Sequence, residues 1–269
     1  MLKNITIGQY FPGNSFVHRL DPRTKILLTV ALIVAVFLCD GFLAFAAVFG
    51  FVLLCARVSN IGVRFLVRGL KPVAYIVVIT FILNIFFQSE GTPLFSWKFI
   101  TVTDLGLRRA AFLAVRLVLL IVASQLLTLT TSAISLTDGL ESLMRPLRRL
   151  RFPAHEIAMM MSIALRFIPT LMEEADKIMK AQMARGADFE SGNLFKRARA
   201  MVPLLVPLFV SAFRRADELA MAMEARCYHG GEGRTRMRQL HFAKGDLVAA
   251  LWFAALLALI VALNALGAF

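Results

Sequence analysis

Two arginines stand at matching places in this sequence. Met183-Ala184-Arg185-Gly186 and Glu224-Ala225-Arg226-Cys227 each close a long amphipathic stretch, with Ala-Arg at the same place in both. A guanidinium stays charged at physiological pH and presents a planar fork of donors that pairs with carboxylates or backbone carbonyls. An arginine in a last helical turn also complements the helix dipole, and Gly186 suits the position just past a helix end. Capping accounts for one such ending. Two endings of the same pattern on one chain point to two similar receivers.

Residues suited to catalysis are sparse. His155-Glu156 is not followed by a histidine at the spacing of a His-Glu-x-x-His zinc site. Glu173-Glu174 lie beside Asp176, Lys177 and Lys180, which reads as a solvated helix face with ion pairs at helical spacing. No Gly-Lys-Ser/Thr occurs, so there is no Walker A loop. Cys39, Cys55 and Cys227 are isolated, with no metal-binding or disulfide pattern. Arg116 is the one charge inside a long apolar run, where it must snorkel outward or find a partner such as Asn84 or Gln88. Ten of the twelve methionines fall between Met144 and Met223, densest at Met159-Met160-Met161. Each alone reads as packing. Together, these unbranched and polarizable side chains suit a face that repacks against different partners.

The elements that must carry these residues are mostly apolar. Of the 269 residues, 59% are hydrophobic and 17% charged, and the mean hydropathy is +0.73. Soluble domains are nearer 45–50% apolar and about 25% charged. The composition therefore excludes a disordered chain and points to an all-α membrane protein. Five apolar stretches follow a polar lead: Ile26–Cys39, Gly41–Ala56, Val73–Phe87, Ala110–Thr131 and Leu247–Phe269. The first two are separated by Asp40 and are read as a helical hairpin, because fusing them would place a lone carboxylate at the bilayer centre. The first three fall short of the roughly 20 residues that cross a bilayer and must extend into their flanks. Asp21-Pro22 marks a helix start, with Asp as N-cap. No signal-peptide core occurs ahead of Ile26, so the first span is expected to direct its own insertion.

The net charge of +13 would suggest nucleic acid in a soluble protein, but here the basic residues fall between apolar runs. With the N-terminus inside, 26 Lys and Arg lie on the inner side and 3 on the outer, and the short loops alone give 8 against 3. The positive-inside rule thus orients five spans with a cytoplasmic N-terminus. The domain reading is residues 1–132 for the lead and four spans, 133–243 for a cytoplasmic or interfacial helical domain, and 244–269 for the fifth span. Within the middle domain, Leu136–Arg149, Ala154–Arg185 and Phe195–Arg226 carry helical apolar periodicity. The two longer helices should each run about 45 Å, with kinks at Pro169, Pro203 and Pro207.

With these residues assembled, the chain resembles the transmembrane T component (EcfT) of energy-coupling factor (ECF) vitamin transporters. The resemblance rests on Gly8-Gln9-Tyr10 with His18-Arg19-Leu20-Asp21-Pro22-Arg23-Thr24-Lys25, on Ala164-Leu165-Arg166-Phe167-Ile168-Pro169, and on the paired Ala-Arg-Gly-like endings. Cys227 departs from the family pattern, standing where a Gly is usual; a backbone needing positive φ would be disfavoured there. The resemblance implies a non-catalytic subunit of an ATP-driven importer in the bacterial cell (inner) membrane. It implies two ABC-type ATPases docked on Ala184, Arg185, Gly186, Ala225, Arg226 and Cys227. It further implies a small substrate-binding S component, facing Met159, Met160, Met161, Leu205, Leu208 and Phe209. ATP and Mg would be bound by the partners, with no cofactor on this chain and no nucleic-acid partner. The N-terminal signature is similar to that of T components shared among several S components. A stand-alone channel or secondary transporter is the alternative; it should show an inverted repeat or discontinuous polar midplane helices, and neither is legible here.

Overall fold

The structure, a computed structural model, describes residues 10–39, 41–87, 93–97, 100–150, 152–189, 193–231 and 239–266. The described residues form nine α-helices and one short hairpin. In chain order they are α1 (Phe16–Arg19), α2 (Pro22–Phe37), α3 (Phe42–Val58), α4 (Val63–Phe87), β1 (Pro93–Trp97), β2 (Ile100–Thr103), α5 (Asp104–Thr130), α6 (Ala133–Met144), α7 (Ala154–Ala184), α8 (Leu194–Glu224) and α9 (Lys244–Ala265). A 3₁₀ turn over Arg145–Leu150 follows α6. The chain divides into two compact units. One is built on Glu141–Gln239; the other joins Gly8–Leu140 to Leu240–Phe269.

The second unit holds all five predicted spans. By length and composition, α4, α5 and α9 are each able to cross a membrane. The two shorter apolar helices, α2 and α3, have 16 and 17 residues. They break where the sequence predicted: α2 stops before Leu38 and α3 starts after Gly41, while Asp40 itself lies outside the described residues. Their contact faces carry small residues and one large ring. Ala35, Val36, Cys39, Ala44, Phe45, Val48 and Val52 are all buried with Leu119 of α5 and Ile260 of α9. The outward faces remain apolar too, with Val34, Phe49 and Leu251 about half exposed or more. Apolar surface on both sides is what a lipid-facing bundle requires.

Helix α4 runs well past the predicted Val73–Phe87, extending N-terminally through Pro72 to Val63. The extra turns bring it to 25 residues, which resolves the shortfall seen in the sequence. It packs on α5 through Gly69. A Cβ there would fall on the Gln125 carboxamide, which donates from Nε2 to the Phe65 carbonyl at 3.1 Å. The loop expected between α4 and α5 contains the β1–β2 antiparallel hairpin, with Pro93 opposite Thr103 and Trp97 opposite Ile100.

Arg116 finds a partner that the sequence did not offer. Its Nη2 donates to the Cys39 carbonyl at 3.4 Å, just past the end of α2, and its guanidinium sits 5.5 Å from the Phe37 ring and 5.7 Å from the Phe45 ring. The proposed partner Asn84 instead bonds Thr80 on its own helix, and Gln88 lies outside the described residues. An orphan carbonyl at a helix C-terminus and two ring faces supply the negative potential that a half-buried cation needs in an apolar helix.

At the end of the bundle where α2 and α9 begin and α5 finishes, a buried polar junction ties three helices. Asp21 caps α2, accepting from the Arg23 amide at 2.8 Å and from the Arg23 guanidinium at 2.9 and 3.1 Å. Arg23 also donates to the Leu240 carbonyl and lies 4.1 Å from the centre of the Phe242 ring. Lys25 Nζ donates to the carbonyls of His18 and Thr130. Asp246, in the first turn of α9, accepts from the Asp21 amide at 2.9 Å and the Ala243 amide at 2.7 Å. Burial alone would push the Asp21 carboxyl up; the hydrogen bonds and charge of Arg23 outweigh it and hold the group below the ordinary carboxylate value.

Two outcomes are expected. Asp246→Ala leaves two amides without an acceptor and should destabilise the bundle by about 2–4 kcal/mol, read as a fall in thermal midpoint in detergent. Because the folded pKa of Asp21 is depressed, its stabilisation is complete above the unfolded value of about 4 and fades as pH falls through the folded value. An Asp21→Asn chain should therefore lose stability relative to wild type at pH 7, and the difference should shrink below about pH 4.

Candidate functional site: two arginine tips

The unit built on Glu141–Gln239 carries both candidate arginines, on the long helices α7 and α8. These have 31 residues each, close to the lengths read from the sequence. Each contains the prolines predicted to kink it.

The two helices end in the same hydrogen-bonded lock. At α7, Gly186 takes φ of +90°. Its amide donates to the Met183 carbonyl at 2.9 Å, and the Ala187 amide donates back to Gln182 at 3.0 Å. At α8, Cys227 takes φ of +53°. Its amide donates to Glu224 at 2.8 Å, and the Tyr228 amide donates to Met223 at 3.1 Å. Both are Schellman endings, in which a left-handed residue turns the chain and satisfies orphan carbonyls of the last turn. Arg185 and Arg226 each immediately precede the left-handed residue, and both are exposed. Ala184 and Ala225, one residue earlier, are also exposed and add no bulk beside the guanidinium.

The left-handed turn gives the reason a glycine is usual where Cys227 stands. The sequence warned that a positive φ would be disfavoured at a non-glycine residue, and the backbone adopts one there nonetheless. At the equivalent Gly186, an added Cβ would meet nothing within 4 Å, so only the backbone angle argues for glycine.

The six residues assigned to an S-component face lie in this unit. Met160, Met161, Leu205 and Phe209 are exposed, Phe209 to 60%, while Met159 and Leu208 are half-buried. Val202, Val206, Val210 and Phe213 are exposed with them on α8. Helix α8 thus carries a long uncovered apolar surface. His155, at the start of α7, bonds Glu141 through Nδ1 at 2.9 Å.

Two residues with a clear structural role escaped the sequence reading. By sequence, Glu174 reads as part of a solvated face with partners on its own helix. It instead reaches across to α8, accepting from Ser211 Oγ at 2.5 Å and Arg215 Nη2 at 2.9 Å. The Ser211 hydrogen bond, reinforced by Arg215 and Lys177, holds the Glu174 carboxyl below its ordinary value. Asp246, which accepts from the Asp21 and Ala243 amides, is the other. The available signal was a single carboxylate placed just before an otherwise acid-free apolar run.

Comparison with known proteins identifies the lineage. Residues 13–237 match the family model of the cobalt transport protein CbiQ. The energy-coupling factor transporter transmembrane protein EcfT of Thermosediminibacter oceani is 58% identical over 248 residues, covering 92% of this chain and 93% of the relative. The chain belongs to this family. The EcfT of Acidaminococcus fermentans is 54% identical over 264 residues, 98% of each chain. That of Bacillus subtilis is 51% identical over 260 residues, 96% of this chain and 98% of its own. Membership in EcfT makes the chain a transmembrane component of a transporter, and its apolar helices make it a multi-pass membrane protein.

Relieving the strained turn should be detectable. Cys227→Gly is expected to be tolerated and to stabilise the end of α8 by on the order of 1 kcal/mol. Gly186→Val should be costly in spite of the open space, since a β-branched residue is poorly accommodated at positive φ. Local hydrogen exchange at Ala187 and Tyr228 would read both effects.

Proposed function

We propose that this chain is the energy-coupling subunit of an ECF-type ABC importer, and that Arg185 and Arg226 are its contacts to two ATPase subunits. The observation that carries the reading is the shared geometry of the two tips: the same lock, the same exposed arginine, the same small residue before it. One chain with two like tips suits a pair of like ATPases, each offering a groove lined with carboxylates or carbonyls. The names carried by the relatives support the transporter role.

In this reading the ATPases bind ATP and Mg and perform the hydrolysis, and this chain binds no cofactor. Its long helices act as levers. Their exposed apolar surface, including Met160, Met161, Leu205 and Phe209, receives a small membrane S component that carries the vitamin. Methionine-rich surface adapts to partners of differing shape, which suits a module shared among several S components. The excess of basic residues beside the spans favours a bacterial inner-membrane protein with the N-terminus and both tips in the cytoplasm.

The test is charge reversal at both tips. Arg185→Glu with Arg226→Glu should abolish co-purification of the ATPases in mild detergent while the chain remains membrane-inserted. Each single reversal should weaken capture without eliminating it. Normal recovery of ATPases with the double variant would overturn the docking assignment. A chain that comes down alone, and that supports solute flux in liposomes by itself, would favour a stand-alone channel.

A further inference from the structure

The sequence offset that carries one tip onto the other extends further back along both helices than the tripeptides themselves. At that offset Ala175 matches Ala216, Asp176 matches Asp217, Ala181 matches Ala222, Ala184 matches Ala225 and Arg185 matches Arg226. At the same offset the pair Glu173-Glu174 stands opposite Arg214-Arg215, with charge inverted. The ion pair between the helices joins Glu174 to Arg215, that is, one position to its own equivalent.

A contact between equivalent positions is what a local two-fold relation between two similar elements produces. In a strict repeat it would set like charge against like charge. Glutamate on α7 and arginine on α8 turn that repulsion into attraction, and Ser211 adds a second donor to the same carboxylate. The spacing follows at once. Arg185 lies as many positions beyond Glu174 as Arg226 lies beyond Arg215. At a helical rise of about 1.5 Å per residue, each tip stands about 16 Å along its helix from the ion pair.

We propose that Glu174 and Arg215 are positioning residues that form a charge-inverted pivot, setting the two arginine tips at equal distance from one contact point so that both ATPases can be engaged together. This rests on the docking role proposed for Arg185 and Arg226. The reason for a polar contact here is geometric. An exposed ion pair adds little to stability, but a directional one selects a single register between two helices whose apolar faces could slide. Simultaneous engagement of two sites gains greatly over either alone, and that gain vanishes if the spacing is wrong.

The test places ketone-bearing amino acids for spin labelling at Lys180 and Met221, which are equivalent under the same offset. Pulsed electron resonance then reads the distance between them in the full chain in nanodiscs. A narrow distribution is expected for the native pair. Glu174→Arg should broaden or shift it, Glu174→Gln should do so less, and the exchange Glu174→Arg with Arg215→Glu should restore it. Apparent affinity for the ATPase pair should fall on the order of 10²-fold in Glu174→Arg and recover in the exchange. Rescue by the exchange separates positioning from loss of folding. An unchanged distribution in Glu174→Arg, or an exchange no better than the single reversal, overturns the pivot. Failure of the docking role is distinguishable: ATPase capture would then persist when both tips are reversed, whatever the pivot variants do.

Discussion

The bundle depends on one buried polar junction, the cluster of Asp21, Arg23, Lys25 and Asp246. Apolar helices in lipid have little to choose between one rotation or register and another, because hydrocarbon satisfies their faces as well as a neighbour does. Directional contacts must make the choice. Lys25 links the lead before α2 to the end of α5, and Asp246 brings the start of α9 to the same point. The starts of α2 and α9 are thereby joined, and the last apolar helix takes its place beside the first ones. Arg116 does related work farther along α5, where the carbonyl of Cys39 and two phenylalanine rings receive its charge.

The α7–α8 unit is organised differently. Its helices keep large apolar residues exposed, and polar features mark it as well: the Glu174–Ser211–Arg215 cluster and the two left-handed locks. Exposed Met160, Phe209 and Phe213 have a free-energy reason to meet a partner, while the tips hold their arginines clear of the helix ends. The strain accepted at Cys227 serves the same shape. The turn after Arg226 is kept although the residue that would adopt it most easily is absent.

Much of this architecture was legible in residue order. The break between α2 and α3, the two long helices, the capping role of Asp21 and the positive-φ conflict at Cys227 all follow from local patterns. Those patterns act over a few residues, through periodicity, capping and steric limits on the backbone. Four features did not follow. The N-terminal extension of α4 through Pro72 was hidden because proline ordinarily argues for a helix boundary. The β1–β2 hairpin lay in a stretch read only as a loop. The partners of Arg116 were a carbonyl and rings, which no list of polar side chains contains. Glu174 looked solvated because its true partner, Arg215, stands on another helix far along the chain.

The sequence by itself determined that this is a helical membrane protein, where α7 and α8 begin and end, and which residues stand at their tips. Each of those properties is set by neighbours within a turn or two. Only the tertiary structure decided which distant groups meet: Asp246 with Asp21, Arg116 with Cys39, Glu174 with Arg215. Long-range pairing is a choice among many chemically acceptable partners. It is made by the packing of whole helices, because a charge settles wherever that packing leaves a carbonyl, a ring face or an opposite charge within reach.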